Sequence, residues 1–412
     1  MNPENFAAFG CSVLGGPAAS VGQSPTSPIS LYVHVPFCAS RCPYCDFATA
    51  PATSPLRSRY LAALRIEIER EGRTLGRPRI ATAFFGGGTP SLLEPDEIAA
   101  LGATIREAFD FVPEEVTFEA NPATLDRARL AAWQALGATR ISLGAQSFSS
   151  RALASLGRTH DAADIAPAVA AARSAGLAVN LDLIFGRPDE PEGEWRADLE
   201  AALALQPEHL SAYPLELALE PEEAVANWGG GGWPTLERWR TAAAAAQPDD
   251  DGLATRYETA AAVLGAAGYR HYEIANWAVP GHECRHNLVY WRNQSWLGVG
   301  AGAHSHLGGV RSHQPAGLVA YAARIERGDG RIADDGADAA VDTAILALRL
   351  DEGLDLAAYG ARFGADARAR VDRALAPLAG TGVLERTGER VALSDRGRFV
   401  ANEVFVRLLP DR

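Results

Sequence analysis

Leu31-Tyr-Val-His-Val-Pro-Phe-Cys-Ala-Ser-Arg-Cys-Pro-Tyr-Cys45 is an apolar run that breaks at Pro36 into a loop carrying three cysteines. Cys38, Cys42 and Cys45 are three of only five cysteines in the chain. Thiolates suit soft iron, and iron–sulfur clusters are held mainly by them. A four-iron cubane has four corners. Three clustered cysteines hold three of them and leave one iron open to a small chelating ligand, so the expected group is a [4Fe–4S] cluster. A structural zinc ion is the competing reading, with its fourth ligand drawn from His34, Asp46 or the distant Cys284. A disulfide explains the trio poorly, because three thiols cannot all pair.

Outward from this loop, short apolar segments alternate with Ala/Leu/Arg-rich stretches. Leu31–Val35, Ile80–Phe85, Glu115–Glu119, Arg140–Leu143, Leu177–Leu183 and His209–Tyr213 read as six strands. Pro55–Glu71, Pro95–Phe109, Leu125–Leu136 and Trp195–Leu205 read as helices. The alternation predicts a parallel sheet covered by helices, an α/β barrel over residues 30–275 that is partial or complete. The segment Asn227–Gly252 breaks the rhythm with Gly229–Gly232 and Asp249–Gly252, and reads as a solvated loop insertion around one short helix. Residues 1–29, rich in Pro, Ser, Gly and Ala, read as a flexible arm, with Cys11 unassigned. Residues 276–335 connect the barrel to a last region, 336–412. There, helices over Asp342–Leu350 and Ala365–Ala376 precede a hairpin of Val383–Arg386 and Arg390–Leu393, a pattern that resembles a winged-helix domain.

The formal charge is −13, from 38 basic and 51 acidic residues, and every basic residue is arginine. Schiff-base chemistry and a phosphate-binding loop of the lysine type are thereby excluded. The acidic balance argues against nucleic acid, so the last region is expected to be a lid or an interaction surface. No apolar run reaches the about 18 residues of a membrane span. The first residues lack a basic start followed by an apolar core, and the cysteine usage suits a reducing compartment, so the expected location is cytoplasmic.

Chemistry in parallel barrels gathers at the C-terminal ends of the strands. After the second strand comes Gly86-Gly-Gly-Thr-Pro90, whose glycines let backbone approach a ligand closely. Glu119 ends the third strand before Asn121-Pro122, Gln146 follows Ser142-Leu-Gly144, and Asp182 lies at the end of the fifth. Each has a plain alternative: a tight turn, a helix cap, a loop hydrogen bond, an arginine partner. Together, beside the cysteine loop, they predict one site for a small molecule bearing an ammonium, a carboxylate and ribose hydroxyls.

The CxxxCxxC spacing, with Tyr32, His34, Pro36 and Pro43-Tyr44 around it, resembles the signature of the radical S-adenosylmethionine (SAM) superfamily. Gly86–Pro90, Glu119–Pro122, Ser142–Gln146, Gly157-Arg-Thr-His160 and Asn180–Gly186 resemble its coproporphyrinogen-oxidase-like branch, in order, from about Leu31 to the C-terminus. The resemblance implies an incomplete parallel barrel of about six strands. It implies that Cys38, Cys42 and Cys45 ligate the cluster, with SAM on the open iron. Tyr32 would pack on SAM, Gly87, Gly88 and Thr89 would contact its methionyl part, and Glu119, Gln146, Arg158 and Asp182 would complete the pocket. A flavodoxin or ferredoxin would serve as electron donor if SAM is cleaved.

Two activities divide that branch: oxidative decarboxylation of coproporphyrinogen III, and haem chaperoning. The dehydrogenases carry a further cysteine two residues past the third, where this chain has Phe47. They also carry a long segment before the cluster, which this chain is expected to lack. His286-Asn-Leu-Val-Tyr-Trp291 resembles the HNxxYW motif of the chaperones, as does Gly298–His304. The resemblance therefore implies haem binding by His286, Asn287, Tyr290 and Trp291, and transfer to an acceptor protein by a monomer or homodimer. From the residues alone, His286 is a candidate axial ligand, with Tyr290 and Trp291 as flat apolar surface and Cys284 or His282 as second ligand. The same residues equally make a hydrogen-bonded core histidine and a packing tryptophan. His304 and His306 stay unassigned.

Overall fold

A computed structural model describes residues 27–217, 227–228, 233–336 and 338–410. Most of the expected N-terminal arm, Cys11 and the Gly229–Gly232 run lie outside the described residues.

The six expected strands are all present: β1 (Ile29–Val35), β2 (Arg79–Gly87), β3 (Asp110–Ala120), β4 (Arg140–Gln146), β5 (Ala178–Phe185) and β6 (His209–Pro214). They lie side by side in sequence order and pair in parallel. Two antiparallel strands, β7 (Arg270–Glu273) and β8 (Asn276–Ala278), follow β6 at one edge. On the far side of β1 sits β9 (Trp296–Val299), then β10 (His304–Leu307), β11 (Val310–His313) and β12 (Ile332–Ala333). Since β9 runs parallel to β1, with Leu31 opposite Leu297, the parallel part has seven strands rather than six. The sheet order is β12-β11-β10-β9-β1-β2-β3-β4-β5-β6-β8-β7, with two free edges. The barrel is incomplete.

The strands alternate, with one apolar face packed under the helices and the other carrying the polar residues that line the cavity described below. Leu31, Val33, Phe85, Val116, Phe118, Ile141, Leu181 and Leu210 are all fully buried. The covering helices include α1 (Arg57–Thr74), α2 (Pro95–Ala108) and α3 (Arg127–Leu136). Their starts are written in the sequence. Pro95 opens α2 within a Glu94–Glu97 capping box, and the Asp126 carboxylate accepts from Arg129 N–H at the head of α3. Trp133 of α3 stacks on Phe118 at 4.5 Å and meets the edge of Phe85. Truncating this buried ring to alanine is expected to cost about 3–5 kcal/mol.

The insertion reading needs correction. Residues 233–266 form two long helices, Trp233–Ala246 and Asp250–Ala266, rather than a loop around one short helix. The acidic run taken for loop is a helix start: Asp249 accepts from Gly252 N–H at 2.9 Å, and Asp250 and Asp251 sit in the positive first turn. The segment is not a solvated excursion either, because its side chains grip the cysteine loop, as described below.

The last region holds helices Ala339–Leu348, Leu356–Phe363 and Ala365–Leu375. A three-stranded sheet places Arg390–Leu393 between Leu354–Asp355 and Leu384–Thr387. The expected hairpin is there with one further strand, around a small core of Leu348, Leu356, Val371, Val391 and Val404.

Candidate functional site

The cysteine loop leaves β1 at Pro36 and is closed at its neck. Phe37–Cys38 pairs with Ala50–Pro51, and Ala50 and Ala52 N–H groups donate to the Pro36 and Cys38 carbonyls at 2.8 Å. From outside, Arg240 donates to Pro43 O at 2.9 Å and to Cys45 O at 3.4 Å. Trp228 Nε1 donates to Thr49 Oγ1 at 3.1 Å. The three cysteines line one cavity of about 300 Å³. Burial pushes the Cys38 thiol up to about 11 and raises Cys45 as well, where neighbouring Cys42 and Cys38 add to the effect. Thiols so placed ionise only against a strong local positive charge such as bound metal.

Zinc finds little support in the surroundings. His34, one candidate fourth ligand, is fully buried, with Nε2 against Ala48 O at 2.8 Å and Nδ1 against Tyr32 OH at 3.1 Å. Cys284 is a second, and its Sγ donates to Glu115 at 3.4 Å. Among the described residues only His304, His313 and Asp334 bring three ligand atoms within 4.8 Å of one another. The cysteine sulfurs are therefore spread wider than one ion gathers its ligands, as a cluster with a metal at each corner requires.

The strands and the loops that follow them bring the predicted polar residues to the same cavity. Tyr32, Gly87, Gly88, Thr89, Glu119, Gln146, Arg158 and Asp182 all line it. Gln146 sits at a break in the β4–β5 register with φ of 63°, a conformation unusual for a non-glycine residue. The turn after it is pinned by Asp198, which accepts from Ser147 Oγ at 2.8 Å and Phe148 N–H at 2.7 Å. Asp182 accepts from Ser142 Oγ at 2.9 Å and Asn180 Nδ2 at 2.7 Å, and burial raises its carboxyl. Arg158 donates to Gly144 O at 2.9 Å and reaches Cys42 Sγ at 3.5 Å, while its buried Nε has no partner.

The glycine run also braces the fold. Amides of Gly87, Gly88 and Thr89 are already bonded, to Glu119 Oε2, Val35 O and Phe37 O. A Cβ on Gly87, which has φ of +108°, would strike the His34 ring at 2.3 Å. These glycines seat β2 against the β1 turn, and Thr89 Oγ1 lies 3.5 Å from Cys38 Sγ. The sequence reading missed Asn180, His209, Ser211 and Tyr213, which line the same cavity. His209 bridges Asn180 Oδ1 at 2.6 Å and Tyr272 OH at 2.8 Å, and burial keeps it neutral. Their every-other-residue spacing, Asn180 with Asp182 and His209 with Ser211 and Tyr213, was the available signal, because it puts them on one face of β5 and β6.

Arg285–Trp291 forms a short helix packed behind β2. Asn287 and Tyr290 reach the cavity wall, together with Cys284. His286 does not: it is 0% exposed and stacks on Phe84 with centroids 5.4 Å apart. Its Nδ1 lies 2.7 Å from Thr82 Oγ1, whose own proton goes to Ser30 Oγ. Nδ1 therefore carries the hydrogen, and the Nε2 lone pair accepts from Tyr290 OH at 2.8 Å. Burial alone holds this imidazole down at about 3. Trp291 packs under the Arg349 guanidinium at 4.8 Å, in a cluster with Trp296, Leu346 and Leu350, away from the cavity. No helix is long and apolar enough to cross a membrane among the described residues.

The Radical SAM superfamily model matches residues 32–202 and the HemN C-terminal domain model matches residues 335–400. The chain is similar to the haem chaperone HemW of Mycobacterium tuberculosis (strain H37Rv), 40% identical over 399 residues that cover 93% of this chain and 96% of the relative. The chain belongs to the HemW family of radical SAM proteins. HemW of Lactococcus lactis is 30% identical over 389 residues, 93% of this chain and 98% of the relative. HemW of Escherichia coli is 38% identical over 280 residues, 67% and 70% of the two chains. Among solved structures, coproporphyrinogen III oxidase (HemN) from Escherichia coli superposes with a TM-score of 0.79 at 24% identity. That match covers 92% of this chain and 90% of the other, and it shows the common fold.

Membership of the radical SAM superfamily implies a [4Fe–4S] cluster and SAM. The residues fit both groups. Three thiols on one loop suit the cluster, and the unpartnered Arg158 Nε and the Asp182 carboxylate offer a donor and an acceptor at one cavity.

Proposed function

We propose that this HemW-family chain binds haem and hands it to an acceptor protein, with a [4Fe–4S] cluster on Cys38, Cys42 and Cys45 and SAM in the cavity beside it. The observation that carries the proposal is the full-length likeness to haem chaperones. Its local counterpart is a cavity wall containing Asn287 and Tyr290 as well as the cysteine loop. The bound cluster would supply SAM's sulfonium with an electron if the protein cleaves it, drawn from a flavodoxin or ferredoxin. Arg158 would hold the SAM carboxylate and Asp182 a hydroxyl or ammonium, while Tyr32 and Phe84, stacked at 25°, give an adenosine-sized apolar face. Haem would dock against Asn287 and Tyr290. Axial ligation by His286 then requires Tyr290 OH to let go of Nε2, so Tyr290 acts as a cap on the ligand. Trp291 would support this helix from behind through its packing. The proposed setting is the cytoplasm.

The second reading, an oxygen-independent coproporphyrinogen III dehydrogenase, is favoured only by the shared HemN C-terminal domain. Against it, Phe47 stands on the cavity wall at the position where that enzyme's further cysteine is expected. Anaerobic, reduced, cluster-loaded protein given SAM and coproporphyrinogen III tests the choice. The chaperone proposal predicts no decarboxylated product; turnover would replace it with the enzyme.

A further inference from the structure

At the sheet edge, β10 and β11 each carry a histidine and the residue after β12 is Asp334, and none of the three lines the cavity. The antiparallel ladder sets His304 directly opposite His313, and His313 opposite Ile332, two residues before Asp334. The Asp334 amide is fixed by a bond to Arg311 O at 3.0 Å. Both imidazoles turn Nδ1 toward the one carboxylate: His313 Nδ1 lies 2.6 Å from Oδ1, and His304 Nδ1 lies 3.9 Å from Oδ2. Neighbouring arginines point elsewhere, Arg311 to Asp342 and Asn293, Arg331 to Glu67 and Glu71. All three side chains are a quarter to a third exposed, at 25%, 34% and 27%, so an ion can enter.

We propose that His304, His313 and Asp334 form a binding site for one divalent d-block cation of the zinc class. Two imidazoles and a carboxylate suit zinc, cobalt or nickel and are a poor set for magnesium or calcium, which take oxygen ligands. The three ligand atoms lie within 4.8 Å of one another, and tetrahedral zinc holds its ligands about 3.3 Å apart. Rotamer adjustment on a fixed ladder closes that difference, and water completes the shell. β12 has only two residues, and the match to the HemN C-terminal domain begins at residue 335. The ion is thus a clasp where the sheet edge passes into that domain.

The test titrates chelator-stripped, full-length protein carrying Cys38→Ala, Cys42→Ala and Cys45→Ala, so that loop thiolates do not compete. Calorimetry with Zn²⁺ is expected to give one site per chain. His313→Gln and Asp334→Asn should each weaken it about tenfold or more, while His282→Gln, an exposed histidine outside the trio, leaves it unchanged. Circular dichroism of the stripped variants should match the parent, and Zn²⁺ should raise the melting midpoint only where the trio is intact. Co²⁺ added to the same Cys→Ala chain should give d–d bands without sulfur charge transfer. Absence of saturable Zn²⁺ binding, or binding indifferent to His313→Gln in a folded variant, overturns the proposal and leaves an ion pair alone.

Discussion

The cysteine loop and the helix Arg285–Trp291 were both legible as motifs, yet the fold treats them oppositely. In the loop, the ligand atoms have valence left over. Cys38, Cys42 and Cys45 face a cavity, Arg158 keeps an unpartnered Nε, and the backbone around them is braced from outside by Arg240. In the helix, the key side chain is complete. His286 has both nitrogens bonded and no exposed surface. A site prepared for a resident group shows donors waiting; a site for a cargo that arrives and leaves can be shut when empty.

That contrast can be broken at either end. The largest effect is expected at the loop: Cys42→Ser should abolish the brown cluster absorbance and the iron and sulfide content while circular dichroism stays close to the parent. Unchanged iron would remove Cys42 from the ligands. His286→Ala should instead act on stability, because Thr82 and Tyr290 lose a buried partner. Urea unfolding is expected to show a loss of about 3 kcal/mol at pH 7.

Acid sharpens the same point. The His286 imidazole is held at about 3 in the fold against 6.5 in the open chain, so the unfolded state takes up the proton first. Its contribution is present above 6.5 and is lost as pH falls toward 3. The stability gap between parent and His286→Ala should therefore narrow by about 2 kcal/mol between pH 7 and pH 5. A gap that widens instead would mean that the fold stabilises the charged imidazolium, and an unchanged gap that the ring is exposed. The smallest effect is expected at Asp182→Ala, which should weaken SAM binding about tenfold while haem affinity holds. Equal losses would merge the two sites.

Much of the fold was readable because short β-rich segments alternate with helical stretches, and within a strand such as Leu177–Leu183 apolar residues alternate with Asn180 and Asp182. β9 was not, because Trp296–Val299 has four residues and one is Gly298, whose missing Cβ lets His304 O approach to what would be 2.1 Å. The helix Asp250–Ala266 was hidden by its acidic start, where the capping role of Asp249 shows only when the helix is seen. At the site, residue types predicted who lines the cavity, but not that the Gly87–Thr89 amides are already bonded. Nor did the HNxxYW pattern reveal that Tyr290 covers the lone pair of His286. Spacing reports proximity along the chain, whereas the state of a lone pair depends on Thr82, 204 residues away in sequence, and on Ser30 beyond it.

The most direct test is an anaerobic haem titration of cluster-loaded protein, read by the Soret band, for the parent, His286→Ala and Tyr290→Phe. The account predicts one haem per chain, weakened in His286→Ala and held at least as tightly in Tyr290→Phe, where the cap is gone. No saturable binding by the parent would contradict the chaperone reading, and binding indifferent to both variants would contradict the ligand.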